Sequence, residues 1–201
     1  RLLVDYKASQ VNNLLERPTH PQFSVEQLVQ QVKPGNEYFL SADITGAFFT
    51  HPLQEGPEGG DVTTFLTHRG KYFFTVLPQG CCVSQDFLGS TLSEALDHKD
   101  LKDDENKQVI RIIDDIAGCC KDLPTFKKLC KALFTRCKEY NVKLNPAKFR
   151  VSTSHINFAG VVISKEGVSP DPERMSGLSK FPRPTTCKQV KSCLGCATSL
   201  A

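Results

Sequence analysis

Short apolar runs and helical apolar stripes alternate along the 201 residues of the chain. Apolar runs bounded by turn residues predict strands. These runs cover residues 2–4, 38–42, 109–113, 116–120 and 156–163. Two further runs, 62–67 and 71–76, flank His68-Arg69-Gly70 and predict a β-hairpin.

Apolar residues at helical spacing predict three helices. The first, over 25–32, follows a capping-box pattern at Ser24 and ends at Pro34-Gly35. The other two cover 84–96 and 124–140, and their predicted buried residues are Phe87, Leu88, Thr91, Leu92 and Ala95, then Phe126, Leu129, Cys130, Leu133, Phe134 and Cys137. Strands and helices mix without strict βαβ alternation. This order favours an α+β fold with an antiparallel sheet that carries helices on one face.

Composition excludes several classes of protein. With 39% hydrophobic and 23% charged residues, the chain can bury a core and is not wholly disordered. No apolar run reaches the roughly 18 residues of a membrane span, and the first residues lack a signal-peptide pattern, so we expect an intracellular protein. The nine cysteines do not predict a zinc site, because no second CxxC or HxxxH accompanies Cys193 and Cys196. The chain is also too long and too apolar for a small disulfide scaffold, so we expect reduced thiols. The chain opens on Arg1 and stops in an apparently helical stretch, which suggests a piece of a longer protein.

Charge is distributed unevenly although the net charge is only +3. Residues 121–150 contain nine basic and two acidic residues, whereas acidic residues predominate before them. An acidic part followed by a basic part is typical of a protein that holds metal ions beside a polyanion. The alternative is that the lysines of 124–140 are only the solvated face of a helix.

Asp114 and Asp115 separate two apolar strands and carry the most information in the chain. Adjacent carboxylates raise each other's pKa, so their pairing there is costly without a cation. Asp43 ends another apolar strand and is a candidate third ligand. Such oxygen ligands suit Mg²⁺. A simple hairpin turn remains the alternative for the aspartate pair.

The residues around these acids resemble the polymerase motifs of reverse transcriptases. The matching segments follow the family's order over nearly the whole chain: Asp43–Leu53, Val76–Gly80 (VLPQG), Ile112–Asp115 (IIDD), Leu144–Lys148 (LNPAK), Phe158–Gly160 (FAG) and Phe181–Pro184 (FPRP). The last of these, with Val190–Gly195, is similar to the run-on of gypsy-type long-terminal-repeat retrotransposons. The resemblance implies the fingers and palm of a right-hand polymerase, truncated at both ends.

The resemblance divides the chain into segments and assigns roles. Residues 1–42 would be partial fingers, 43–53 the palm motif with the first catalytic aspartate, 54–77 a fingers hairpin, 78–170 palm, and 171–201 the start of the thumb. It implies a catalytic set with two Mg²⁺ ions, or Mn²⁺, held by the three aspartates and the Ile44 carbonyl, and Lys148 as general acid for pyrophosphate. The implied nucleotide contacts are Arg1, Ile44, Phe48 and Gln79, and the implied primer or template contacts are Phe158, Gly160 and Ile112.

Two of these roles have plain alternatives, since Phe48 could be a core residue and Lys148 a surface lysine. The family usually has Tyr or Phe where this chain has Ile112, so a captured, inactive nucleic-acid-binding domain is a second hypothesis, and an RNA-dependent RNA polymerase palm is a third. The implied partners are an RNA or DNA template with primer, and deoxynucleoside triphosphates, with ribonuclease H and integrase outside this stretch and no membrane. A retrotransposon origin would imply a cytoplasmic virus-like particle.

Overall fold

The computed structural model describes residues 3–16, 27, 30–53, 62–97, 101, 107–179 and 181–198. Its strands are β1 (Tyr38–Asp43), β2 (Phe65–Thr67), β3 (Gly70–Tyr72), β4 (Lys107–Ile112), β5 (Asp115–Cys120), β6 (Arg150–Ser152), β7 (His155–Phe158), β8 (Val161–Ser164) and β9 (Gly167–Pro170). Four strands form the main antiparallel sheet in the order β4-β5-β1-β6. β2 and β3 form a separate hairpin, and β7 to β9 form a small meander.

Two helices cover one face of the main sheet. The helices are α1 (Ser84–Leu96), α2 (Leu123–Glu139), α3 (Pro172–Ser179) and α4 (Cys187–Thr198). Leu88 and Leu92 of α1, with Leu129 and Leu133 of α2, pack onto Leu40 and its neighbours in one hydrophobic core. The Asp122 carboxylate begins α2 by accepting the Thr125 N–H at 2.9 Å. The predicted α+β architecture with helices on one face is confirmed.

Helix α2 lies directly against the backbone of β5 at Gly118. A Cβ atom at this position would stand 3.0 Å from Leu129 and 3.0 Å from Leu40. Any side chain here would therefore require the side chains of Leu129 and Leu40 to shift. The absence of a side chain at Gly118 lets Leu129 of α2 pack closely on β5.

The other face of the main sheet is covered by the β7–β9 meander, which sequence reasoning did not foresee as a separate layer. Phe39 and Ile110 of the main sheet pack there against Ile156, Phe158 and Ile163, all buried. The main sheet is therefore buried on both faces. Such a position accounts for the nearly continuous apolar runs of β1 and β5.

Several predicted strand boundaries need correction. The run 156–163 is two strands, because Ala159 and Gly160 form a turn with φ of 48° and 88°. The hairpin at 62–76 is confirmed, but its paired strands are only three residues long each. In the predicted run 2–4, Leu3 and Val4 have no regular structure, and residue 2 lies outside the described residues.

Two aromatic residues predicted to be buried are exposed. Phe87 is 52% exposed and Phe134 is 49% exposed. Phe134 lies at the margin of the α2 stripe, where its ring contacts Phe149 instead of the sheet. Half of the predicted helix over 25–32 lies outside the described residues, namely 25, 26, 28 and 29. Of the rest, Gln27 is helical, whereas Gln30 and Gln31 form a turn.

All nine cysteines lie within the described residues, and no disulfide bond joins any two of them. In the part of the chain that the structure describes, no helix is both long and apolar enough to cross a membrane.

Candidate active site

The ends of β1 and β5 bring two carboxylates face to face. Asp43 is the last residue of β1 and Asp115 the first of β5, and the register pairs them directly. Directly opposed like charges destabilise a sheet. The prediction that these acids lie at adjacent strand ends is confirmed, and the arrangement demands a positive charge nearby.

The third carboxylate lies in the turn that joins β4 to β5. Ile112 pairs with Asp115, so the two turn residues are Ile113 and Asp114, one position earlier than the sequence pattern predicted. Ile113 has a φ of 53°, where two-residue hairpins usually place glycine. A β-branched residue in this conformation costs about 1–3 kcal/mol. The turn that carries Asp114 is thus strained.

Backbone hydrogen bonds tie this turn and the end of β1 to the segment after α2. The Ile44 N–H donates to the Asp114 carbonyl at 2.8 Å, and the Asn145 N–H donates to the Asp43 carbonyl at 2.8 Å. The second bond brings Lys148 to the site, where its ammonium lies 2.9 Å from Oδ1 of Asp43. Lys148 therefore belongs to this site and is not an unattached surface lysine.

The electrostatics of the site show crowded negative charge. Burial, followed by the charges of Asp115 and Asp43, raises the pKa of Asp114 above its usual range. Burial and the charge of Asp43 raise the pKa of Asp115, while Lys148 opposes this shift. The hydrogen bond to Asp43 raises the pKa of Lys148. The site therefore favours binding of further positive charge.

The donor atoms suit a hard divalent cation. Oδ1 of Asp114 is buried and accepts no hydrogen bond from any residue that the structure describes. Carboxylate oxygens of this kind are the ligands that Mg²⁺ prefers. Among the described residues, no three Asp, Glu, His or Cys side chains stand in a metal-holding arrangement. Ligation by all three aspartates at once therefore stays a prediction, and in this structure the Lys148 ammonium holds one oxygen of Asp43.

A cavity of about 230 Å³ opens beside the carboxylates. Its lining includes Asp43, Asp114 and Lys148, together with Phe48 and Gln79, whereas Asp115 is outside it. Ile44 also lines the cavity. Phe48 is only half-buried, so its ring both packs on the core and borders this space. The structure thus brings together six of the residues assigned from the sequence.

A polar clamp, which sequence reasoning missed, holds the turn that follows Gln79. The Asn12 side chain donates to the Gly80 carbonyl at 3.3 Å and accepts from the Cys82 N–H at 2.9 Å. This clamp joins the N-terminal segment to one wall of the cavity. Asn12 belongs to a short 3-10 helix, Val11–Asn13, and the sequence offered no signal that distinguished it from other asparagines.

The residues assigned to primer or template are not among those that line the cavity. The Phe158 side chain is 3% exposed in the core between the sheets, and Ile112 packs against the same core. The Phe158 ring therefore faces other residues of the chain, and Gly160, which is half-buried, lies in the β7–β8 hairpin turn. Arg1 lies outside the described residues.

The basic stretch is spread along the outside of α2. We call Lys127, Lys128 and Lys131 the outer α2 lysines, and all three are exposed. They lie opposite the helix face that Leu129 and Leu133 bury. They are therefore not part of the cavity.

Comparisons with known proteins agree with this geometry. The sequence profile of the reverse transcriptase (RNA-dependent DNA polymerase) family matches residues 1–163. The chain is 28% identical over 185 residues to a retrovirus-related Pol polyprotein of transposon 412 from Drosophila melanogaster, and 26% identical over 195 residues to the Gag-Pol polyprotein of Walleye dermal sarcoma virus. These matches cover 92% and 97% of this chain but only 14% and 11% of those polyproteins.

Solved structures show the same fold. Foamy viral protease-reverse transcriptase in complex with double-stranded DNA matches with a TM-score of 0.84 at 21% identity, covering 98% of this chain and 33% of that one. The complex of the foamy viral enzyme with an RNA/DNA hybrid matches with a TM-score of 0.82 at 19% identity, over 98% and 25% of the two chains. The expected architecture of polymerase palm and fingers is confirmed.

Proposed function

Because this chain belongs to the reverse transcriptase (RNA-dependent DNA polymerase) family, we propose that it catalyses template-directed DNA synthesis. A primer 3′-hydroxyl attacks the α-phosphate of a deoxynucleoside triphosphate, and pyrophosphate leaves. The carrying observation is the direct pairing of Asp43 with Asp115 at the joined ends of β1 and β5, next to the turn that carries Asp114 and beside the cavity that Asp43 and Asp114 line. A reaction of this kind depends on positioning and charge stabilisation more than on a side-chain nucleophile.

Two divalent cations, Mg²⁺ or Mn²⁺, fit this proposal. The three carboxylates and the Ile44 carbonyl would hold them. When bound, such ions activate the attacking hydroxyl and stabilise the charge on the leaving phosphate. The raised pKa values of Asp114 and Asp115 and the unpartnered oxygen of Asp114 support cation binding at this site.

Three side chains of the cavity have proposed roles toward the nucleotide. Lys148 keeps its proton at neutral pH, since its pKa is raised, and donates it to the pyrophosphate oxygen that leaves. The Phe48 ring fills the space that a ribose 2′-hydroxyl would need. Gln79, on the turn held by Asn12, contacts the incoming nucleotide and the template base.

The proposed polynucleotide partner is a primer annealed to an RNA or DNA template. The foamy viral enzyme was solved with double-stranded DNA and with an RNA/DNA hybrid, and the shared fold supports a similar partner here. The chain spans a small part of its polyprotein relatives. We therefore also propose that ribonuclease H and integrase lie elsewhere in the same polyprotein, and that the protein works in cytoplasmic virus-like particles.

Primer extension tests the proposal. An end-labelled primer on an RNA template is incubated with Mg²⁺ and either deoxynucleotides or ribonucleotides. We expect extension with deoxynucleotides, and loss of it in Asp114→Asn but not in Asp86→Asn, an acid of the first turn of α1 that lies outside the cavity lining. Duplex binding without extension would contradict the proposal and support an inactive captured domain, whereas preferential extension with ribonucleotides would support an RNA polymerase.

A further inference from the structure

Arg111 of β4 lies directly behind the strained turn that carries Asp114. Its Nη1 donates to the Ile113 carbonyl at 3.3 Å. Its Nη2 donates to Ser93 Oγ at 3.1 Å and to the Gly89 carbonyl at 3.4 Å, both on α1. The Arg111 guanidinium therefore connects the turn to helix α1.

The contacts of Arg111 stabilise a turn that is strained at Ile113. A residue held at φ 53° without being glycine persists only if its surroundings hold it there. The Ile44 N–H holds the turn from the β1 side through the Asp114 carbonyl. Arg111 holds the turn from the α1 side through the Ile113 carbonyl. The turn is therefore held by hydrogen bonds to the carbonyls of two successive residues, Ile113 and Asp114.

Arg111 also places a permanent positive charge near Asp114. Its half-buried guanidinium interacts with the charges of Asp97 and Asp114. No hydrogen bond joins Arg111 to the Asp114 carboxylate among the described contacts, and Oδ1 of Asp114 keeps no partner. The charge thus compensates the carboxylate without a hydrogen bond to its Oδ1, which is buried.

We propose that Arg111 is a positioning residue of the active site, which fixes the Ile113–Asp114 turn against α1 so that the Asp114 carboxylate keeps its place in the cavity. This inference rests on the proposed function, because it assigns Arg111 a purpose in cation and nucleotide binding. It adds a residue that touches neither the substrate nor the cation.

The test compares Arg111→Met with Arg136→Met. Arg136 is a matched control, because it also binds α1, donating to the Ala95 carbonyl at 2.9 Å and the Glu94 carbonyl at 2.8 Å, but it does so from α2 and has no hydrogen bond to the turn among the described contacts. Arg111→Lys serves as the conservative variant. It keeps the charge but loses the planar fork that reaches Ile113 and α1 together.

The first measurement is hydrogen exchange of the metal-free protein, which needs no activity. The Ile44 amide reports the turn, and the Glu37 amide, bonded to the Cys120 carbonyl at the opposite end of the sheet, reports general stability. In Arg111→Met we expect exchange at Ile44 to accelerate roughly tenfold relative to Glu37, as loss of a hydrogen bond to a charged group predicts. Arg136→Met should accelerate both amides alike.

The second measurement is the response to Mg²⁺ and substrate. In Arg111→Met, the Mg²⁺ concentration that gives half of the maximal thermal stabilisation should rise about tenfold, as for other groups that orient metal ligands. The kcat for primer extension should fall between about tenfold and a hundredfold with little change in the KM for deoxynucleotide. Arg111→Lys should recover part of both losses, and Arg136→Met should retain wild-type values of each.

A second substitution that relieves the strain at Ile113 should rescue the Arg111→Met variant. Adding Ile113→Gly to Arg111→Met should restore most of the protection at Ile44, because glycine takes a positive φ without support. Equal behaviour of Arg111→Met and Arg136→Met, or a double variant without rescue, would overturn the inference. If the wild-type protein itself shows neither a Mg²⁺ response nor extension, the proposed function fails, while the ratio of exchange at Ile44 and Glu37 still decides the role of Arg111.

Discussion

Substitutions at Ile113 should reverse the usual stability order of alanine and glycine. At an ordinary strand or helix position, alanine is more stable than glycine by about 0.5–1 kcal/mol, because glycine loses more backbone entropy on folding. Ile113 has a φ of 53° and its side chain is 44% exposed. Ile113→Ala and Ile113→Gly lose nearly the same side-chain contacts, so their difference isolates the backbone.

The magnitude follows from two opposing contributions. A Cβ atom in the left-handed region costs about 1–2 kcal/mol, which the glycine variant avoids. Glycine also loses more backbone entropy on folding than alanine, which offsets about 0.5–1 kcal/mol of this advantage. The glycine variant should therefore be more stable than the alanine variant by about 0.5–1 kcal/mol. For a chain of this size, this corresponds to a difference in Tm of about 1–4 °C.

Urea unfolding followed by circular dichroism measures the difference, with Mg²⁺ absent. Val151, 55% exposed in the edge strand β6, is the matched control. There the usual order should hold, with Val151→Ala more stable than Val151→Gly. An Ile113→Ala variant that equals or exceeds Ile113→Gly in stability would refute the reasoning that the turn is strained.

Three further predictions concern the carboxylates and their neighbours. The pKa of Asp114 is raised in the folded protein. Without metal, the wild-type protein should therefore lose stability relative to Asp114→Asn as the pH rises from about 3.9, the ordinary pKa of aspartate, through the raised pKa. Melting temperatures across this pH range check the sign, and saturating Mg²⁺ should remove the stability advantage of the variant. Phe48→Val should let ribonucleotides compete with deoxynucleotides in a matched primer-extension assay, and unchanged discrimination would show that Phe48 is only a core residue. Lys148→Ala should weaken duplex binding and flatten its salt dependence by about one counterion. If replacing the three outer α2 lysines by alanine lowers duplex affinity more than Lys148→Ala does, the nucleic acid binds along α2 and not beside Lys148.

The sequence predicted the parts of the fold that depend on periodic patterns. The apolar runs of β1 and β5 and the stripes of α1 and α2 place most elements within a few residues, because burial of one face dictates these patterns. The same logic located the strand-end aspartates. The prediction misplaced the turn by one residue, however, because no sequence rule places a β-branched residue such as Ile113 at positive φ.

Other features depended on tertiary contacts that the pattern does not contain. The Phe134 side chain continues an apolar stripe, yet its ring packs on Phe149 and stays half exposed. The meander that covers the second face has the same alternation as any half-buried hairpin, so its position could not be read locally. Asn12 and Arg111 act through backbone carbonyls of distant residues, and a single sequence gives no signal for such partners.

The close contact at Gly118 has a consequence for the genetic drift of this coding sequence. Every change in the first or second base of a glycine codon introduces a side chain or a stop, and a Cβ atom here would already crowd Leu129 and Leu40. Only the third base is free to vary while the fold is needed. Among related genomic copies, silent changes alone at this codon would therefore mark selection for the folded domain, whether or not polymerisation is retained.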